Sequence, residues 1–383
     1  MRLSVAAVLC TAVGLAGCSQ HAAAGSSTSD AAGAGRSRTY FVAADEAIWD
    51  YAPSGKNLSE GRDFSDNERR WMEAGKHAIG RKWKKAIYRE YTDASFTTLK
   101  PRPAEWEHLG MLGPLIRAEV GDTIKVVFRN NSKFPASMHP HGVFYNKDSE
   151  GASYNDDTSG ADKADDGVPT GGTHTYMWLV PERAGPGEHE GSSAFWMYHS
   201  HVAEDRDVAA GLIGPIIVTR KGMARPDGSP TDVDRELVAG FLEYDENQSW
   251  YLEDNIRMFA GDPKGIKIGP GSSGEATPTP DPGNYFRETI NGLSYSNLQG
   301  LTMKVGQRVR WYLMASTFFE FHAPHWHGNV VMTNHMRTDV GVLVPMGMMV
   351  ADMVPDNPGK WFFHCHVSDH LRLGMQAMYE VTK

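Results

Sequence analysis

Ten of the sixteen histidines in the 383-residue chain fall in four short motifs. These are His139-Pro140-His141, His199-Ser200-His201, His322-Ala323-Pro324-His325-Trp326-His327, and His364-Cys365-His366 followed by His370. Alternate side chains of a strand share a face, so each His-x-His presents two imidazoles together and turns the residue between them the other way. Four such pairs supply eight imidazoles on converging faces. Cys365 then lies opposite His364 and His366 and is joined to both by backbone, an arrangement that can connect two metal sites. On its face the second half of the chain also supplies His322, His370 and Met375. Two imidazoles, a thiolate and a weak thioether are the ligand set of a blue-copper electron-transfer site. Ala136, Ser200 and Leu212 take the matching places in the first half, and no histidine matches His370. That copy has lost its mononuclear site yet keeps its His-x-His pairs, which implies a shared site at a domain interface. Eight imidazoles with one thiolate do not form closed tetrahedral Cys/His sets, which disfavours zinc.

The elements that must carry these residues are short runs of β-branched and aromatic residues between Gly, Pro, Asn and Asp turn signals, such as Thr39 to Ala43, Thr123 to Arg129, Leu212 to Thr219, Glu236 to Phe241 and Arg308 to Met314. This pattern predicts an all-β chain of antiparallel sandwiches. Only Glu68 to Lys85 reads as a surface helix. The motifs repeat between the halves, so the length is read as two copies of one sandwich, residues 38–220 and 233–383. Lys221 to Asp232 is expected to link them, and Asp262 to Gly283 to be a long Pro/Gly loop. Residues 1–18 read as an export signal ending in Leu15-Ala16-Gly17-Cys18, which resembles a bacterial lipobox, with a Ser/Ala/Gly-rich tether over 19–37. On that reading the protein is lipid-anchored to the cell envelope, Cys10 leaves with the leader, Cys18 carries lipid, and Cys365 is the one remaining thiol. A net charge of −9 without a basic run interleaved with aromatics argues against nucleic acid.

Together the four motifs resemble the copper-binding signatures of multicopper oxidases. Tyr40 to Trp49, Glu105 to Gly110, Tyr244 to Asn247 and Ile290-Asn291-Gly292 resemble a ceruloplasmin-type pair of cupredoxin domains, with blue copper in the second domain only, as in small two-domain laccases. The resemblance implies two cupredoxin-like Greek-key sandwiches and four copper ions per chain. His322, Cys365, His370 and Met375 would hold type 1 copper, His139 and His325 type 2, and His141, His199, His201, His327, His364 and His366 the type 3 pair. It also implies a homotrimer that closes the three-copper site between domain one of one subunit and domain two of the next. Electrons from a reducing substrate would pass through Cys365 to His364 and His366, and O2 would be reduced to water. Glu150 and Tyr145 are the proton-relay candidates.

For the reducing substrate, the resemblance to laccases puts a phenol first and Cu(I) or Fe(II) second. The methionines 332, 336, 346, 348, 349 and 353 could suit Cu(I) or simply pack a core, and Glu320, Asp352 and Asp369 could receive Fe(II). A copper nitrite reductase is disfavoured, because its blue site lies in the first domain and it has too few histidines. A simple cupredoxin carrier would hold one copper. Histidines 21, 77, 108, 174, 189 and 335 receive no role.

Overall fold

The computed structural model describes residues 35–266, 285–316 and 320–383. The leader, Cys10, Cys18, most of the tether and most of the Pro/Gly loop lie outside the described residues. Each half of the described chain is a pair of facing sheets. In the first half, Lys82–Tyr91, Ser37–Asp50, Thr123–Asn130 and Thr173–Leu179 form one sheet in that spatial order; Ile116–Glu119, Ile213–Thr219, Ser193–His199 and His139–Pro140 form the other. In the second half the sheet of Thr302–Lys304, Gln376–Thr382, Gly359–Cys365 and Pro324–Trp326 repeats the latter order strand for strand, and a six-stranded sheet from Phe286–Ile290 to Met336–Thr338 faces it. The expected strands are present and the fold is the expected all-β, cupredoxin-like one.

Two expectations need correction. The sheets are mixed rather than antiparallel: Ser37–Asp50 pairs parallel with Thr123–Asn130, and Arg235–Asp245 with Val309–Ala315. A parallel pair needs a long crossover, and the connections between these strands are long enough to provide one. The helix expected over Glu68 to Lys85 ends at Met72. Ser65 and Glu68 form a capping box at its start, but Lys82–Tyr91 is drawn into the sheet, where Trp83 faces Trp49 and Lys85 faces Ala47. Gly80 makes the turn between them at φ +80°, so close to the chain that a Cβ would meet the Ala74 nitrogen.

Each sandwich has its own core. Val42, Tyr88, Phe128, Trp178 and Tyr198 fill the first, and Trp311, Trp326, Phe363, Cys365 and Met375 the second. A third cluster, with Trp83, Phe195, Met197, Ile217, Leu242, Tyr312 and Met314, joins the halves. Fully burying one such side chain contributes about 1.5–3 kcal/mol, so the two sandwiches form one packed body. Segment Lys221 to Asp232 is tied down as well, with Thr219 Oγ1 donating to the Gly228 carbonyl at 2.9 Å. Among the described residues no helix is long and apolar enough to cross a membrane.

Candidate metal centre

Strand pairing places the histidines. His139 lies opposite His199, and His325 opposite His364, each at the end of a strand of the repeated sheet. Directly opposed residues have Cβ atoms about 4.5–5.5 Å apart, and each His-x-His adds a second imidazole on the same face. The rings of His139, His141, His199 and His201 consequently lie 5.1–5.5 Å from one another in the contacting pairs. His325, His327, His364 and His366 form a second quartet with ring separations of 4.6–5.6 Å. Among the described residues, no ring of one quartet is seen against a ring of the other.

Backbone carbonyls fix how these rings point. His139 Nδ1 donates to the Glu150 carbonyl at 2.7 Å, His199 Nδ1 to Ser200 at 3.1 Å, His325 Nδ1 to Asp339 at 2.9 Å and His364 Nδ1 to Cys365 at 2.7 Å. A nitrogen that donates to a carbonyl leaves its ring partner as a bare lone pair. Two pairs of Nε2 atoms then face each other, His141 and His199 at 3.0 Å, His327 and His364 at 3.1 Å. Burial, reinforced by neighbouring imidazoles, lowers His141 to about 4. His364 is also lowered to about 4, by burial and the imidazoles of His325, His327 and His366 acting against its carbonyl bond. Burial takes His199 well below the usual imidazole range. These rings are neutral donors at neutral pH, the form a metal ion requires.

The third cluster sits on the opposite face, as the alternation requires. Cys365 Sγ is 3.8 Å from His322 Nδ1 and 3.5 Å from His370 Nδ1, and the two nitrogens are 3.1 Å apart. All three residues are buried. Met375 is buried beside them, its carbonyl accepting from the Cys365 amide at 3.1 Å. Glu320 accepts from His370 Nε2 at 2.8 Å, which directs the Nδ1 lone pair at the sulfur. Burial pushes the Cys365 thiol up to about 11 and lowers His322 to about 3. A buried thiol and two facing imidazole nitrogens bring three soft donors to one point. One thiolate-seeking, imidazole-seeking cation satisfies all three donors, and the donor set therefore fits copper.

In the first half a carboxylate replaces this cluster. Asp207 Oδ2 accepts from Ser200 Oγ at 2.7 Å and from the amides of Val202 and Ala203, and Oδ1 accepts from Trp250 Nε1 at 2.8 Å. Ala136 and Leu212 are fully buried around it.

Of the proton-relay candidates, Tyr145 has its ring 5.8 Å from His139. The Glu150 carboxylate is turned instead to Lys147 and the Tyr154 hydroxyl. The carboxylate that does reach the first quartet is Glu204, 3.6 Å from His199 Nε2 and 3.4 Å from His201 Nε2, a residue that sequence reasoning missed. It missed a second feature as well. Glu243 and Glu288 are directly opposite in register, and their oxygens and a His370 nitrogen all lie within 4.8 Å of one another. Like charges directly opposite on two strands destabilise a sheet. Burial, with the Glu320 and Asp245 charges beside it, pushes Glu243 up to about 8, and burial with the Glu243, Glu320 and Asp369 charges lifts Glu288 well above the carboxylate range. Glu288 Oε2 is buried without a hydrogen-bond partner. The available signal was a glutamate inside each of two otherwise buried strands. Glu320 belongs to this group through His370, whereas Asp352 pairs with Arg310 and Asp369 with Arg372.

Two family models, both described as multicopper oxidase, match residues 108–222 and 270–383. The chain is 41% identical over 348 residues to the ferroxidase HEPHL1 of Mus musculus, covering 90% of this chain and 29% of that protein. It is 38% identical over 352 residues to hephaestin of Mus musculus, covering 91% and 30%, and 36% identical over 354 residues to ceruloplasmin of Homo sapiens, covering 90% and 31%. It thus spans less than a third of the length of these relatives. Among solved structures, a blue copper oxidase from Nitrosomonas europaea superposes with TM-score 0.56 at 18% identity, covering 90% of this chain and 86% of that one. A multicopper oxidase crystal structure gives TM-score 0.55 at 19% identity, covering 91% and 89%. These two likenesses concern the fold.

Proposed function

Because the chain belongs to the multicopper oxidase family, we propose that it is a metallo-oxidase that oxidises Fe(II) and reduces O2 to water. The observation that carries this reading is the place of Glu243 and Glu288, within 4.8 Å of the imidazole that also lies 3.5 Å from the Cys365 sulfur. Paired carboxylates suit a hard divalent cation as substrate, and the relatives named ferroxidases support the same choice. This puts metal-ion oxidation ahead of phenol oxidation, the reverse of the order drawn from sequence.

His322, Cys365, His370 and Met375 would hold the donor-side copper, and the two histidine quartets would hold the remaining three ions. When bound, copper supplies one-electron acceptance at the first site and four-electron reduction of O2 at the second. The protein positions the donors. Glu243 and Glu288 hold the substrate cation beside His370, and Glu320 fixes the tautomer of that ring. Cys365 is bonded through backbone to His364 and His366, so one short covalent path joins the two sites. Glu204 places a carboxyl at the first quartet, and Tyr145 a hydroxyl-bearing ring against His139.

Since the two quartets are separate in one chain, the three-copper site needs a second copy, and we read the protein as a homotrimer. Exposed apolar side chains lie close to the motifs in each half: Phe144, three residues after His141 and bridged to Leu179, and Phe321, Val342 and Val344 around His322 and its partner Leu343. A ring of chains brings one set against the other. Export with a lipid anchor at Cys18 completes the reading. The test is oxygen uptake by copper-loaded protein supplied with Fe(II), Cu(I) or a phenol, with sedimentation in parallel. A higher kcat/KM for Fe(II) and a trimeric mass are expected. A preference for the phenol overturns the substrate assignment, and a fully active monomer overturns the assembly.

A further inference from the structure

Gln376 has no polar counterpart in the half that lacks the thiol cluster. It lies directly opposite His364 in register, and the residue that takes the same place opposite His199 is Ile213. Ile213 is fully buried in the core between the halves, so the repeated sheet accepts an apolar side chain there. Gln376 is 6% exposed, and a carboxamide so buried needs partners. Both of its partners bear on the loop that carries His370 and Met375: Nε2 donates to the Leu371 carbonyl at 3.1 Å, and Oε1 accepts from Ser59 Oγ, a hydroxyl of the first half, at 2.5 Å. We propose that Gln376 and Ser59 are positioning residues through which the first half sets the reduction potential of the donor-side copper.

The backbone first closes the loop on itself. The Met375 amide donates to the His370 carbonyl at 2.9 Å and the Gly374 amide to the Leu371 carbonyl at 3.2 Å. Gly374 makes the turn at φ +115°, where a Cβ would meet the Ser294 Cβ at 2.9 Å. The Gln376 carboxamide then ties the start of the last strand back to the helix Ser368–Leu373. Met375 is therefore fixed on both sides, by His370 and by Gln376.

A strained turn braces the loop from behind. Tyr295 and Ser296 have φ of +53° and +58°, left-handed values that neither residue type favours. Their amides donate to the carbonyls of Gly374 at 2.9 Å and Gln376 at 3.0 Å. The first half holds this turn in place. The Leu58 amide donates to the Tyr295 carbonyl at 3.0 Å, Asn297 Nδ2 donates to the Lys56 carbonyl at 3.1 Å, and the Phe64 ring lies edge-on to Tyr295 with centroids 5.4 Å apart. Ser59 completes the contact, its hydroxyl within reach of Gln376 Oε1 and, at 2.7 Å, of Asn57 Oδ1. The axial ligand tunes the potential of a site with two imidazoles and a thiolate. Cu(II) gains more than Cu(I) from a fourth donor, so a loosened Met375 raises the potential. The inference rests on the proposed donor set of His322, Cys365, His370 and Met375, and not on which substrate is oxidised.

The experiment is an anaerobic redox titration of the copper-loaded protein against a mediator, followed at the blue absorption, with copper content assayed in every sample. Gln376→Leu keeps the volume and should shift the equilibrium with the mediator about tenfold toward the reduced protein, the lower bound for outer partners of a metal ligand, or ~59 mV for one electron. Ser59→Ala should shift it the same way by less. Ser59→Thr, which keeps the hydroxyl, should match the wild type. An unchanged or lowered potential in either of the first two variants overturns the proposal, as does a shift in Ser59→Thr equal to that of Ser59→Ala. If Gln376→Leu does not fold, Ser59→Ala, at a half-buried position, is judged alone by the same criteria. A wild type that takes up copper without blue absorption overturns the donor set itself, a failure distinct from unchanged potentials in blue variants.

Discussion

Replacing Glu288 by glutamine keeps its size and removes the carboxyl that would ionise on binding a cation beside His370. Glu243 and Glu288 have oxygens within 4.8 Å. At that separation, two carboxylate charges repel by about 3–4 kcal/mol at an effective dielectric of ~20. A divalent cation placed about 4 Å from a carboxylate is attracted by ~8 kcal/mol on the same scale, most of which offsets the ion's lost hydration. The net loss from deleting one supporting group at a metal site is about 10–100-fold in affinity, or about 1.4–2.7 kcal/mol. In an oxygen electrode, Glu288→Gln should therefore raise KM for Fe(II) by about 10–100-fold. Oxidation of an uncharged phenol, the internal reference, should change little. An unchanged KM for Fe(II), or equal losses with both donors, would refute the carboxylate site.

Three further outcomes are expected. Cys365→Ser should abolish the intense blue absorption and donor oxidation while metal analysis still finds copper on the imidazole quartets; retained turnover contradicts the Cys365 path. Asp207→Ala leaves four donors unpaired, the buried Ser200 hydroxyl and three partly buried N–H groups, and should cost about 1–3 kcal/mol in denaturant unfolding, the penalty of the buried orphan; a loss below about 1 kcal/mol would show that water replaces the carboxylate. His108 is buried between the halves, with the Val238 amide donating to its Nε2 at 3.1 Å, and burial lowers it to about 3. The unfolded chain is protonated first as pH falls below about 6.5, so this contribution to stability is complete above that pH and lost toward pH 3, by up to about 1.4 kcal/mol per pH unit. His108→Gln should flatten the acid limb of the melting temperature against pH, and an unchanged limb would exclude His108 as a cause.

The histidine clusters were legible in sequence because the strand period alone decides which imidazoles share a face, and Cys365 falls on the far side of His364 and His366 for the same reason. The fold class followed from the spacing of turns. Parallel pairing was not legible, since it depends on which strand a long crossover returns to, and local residues do not encode that. The segment Glu68 to Lys85 misled because its charged residues suit a helix, while Trp83 and Lys85 are claimed by a neighbouring strand and a buried contact with Glu246. Glu243 and Glu288 were hidden because register across a hairpin with a long loop brings them together. Asp207 was hidden because a vanished ligand set predicts no particular replacement.

In the proposed reaction single electrons pass from a metal ion to O2 until water is formed. The most direct measurement is the amount of Fe(II) consumed per O2 by the copper-loaded protein, with hydrogen peroxide assayed alongside. Four Fe(II) per O2 without peroxide is the predicted result. Two Fe(II) per O2 with matching peroxide, or Fe(II) loss that does not depend on the protein's copper, would contradict it.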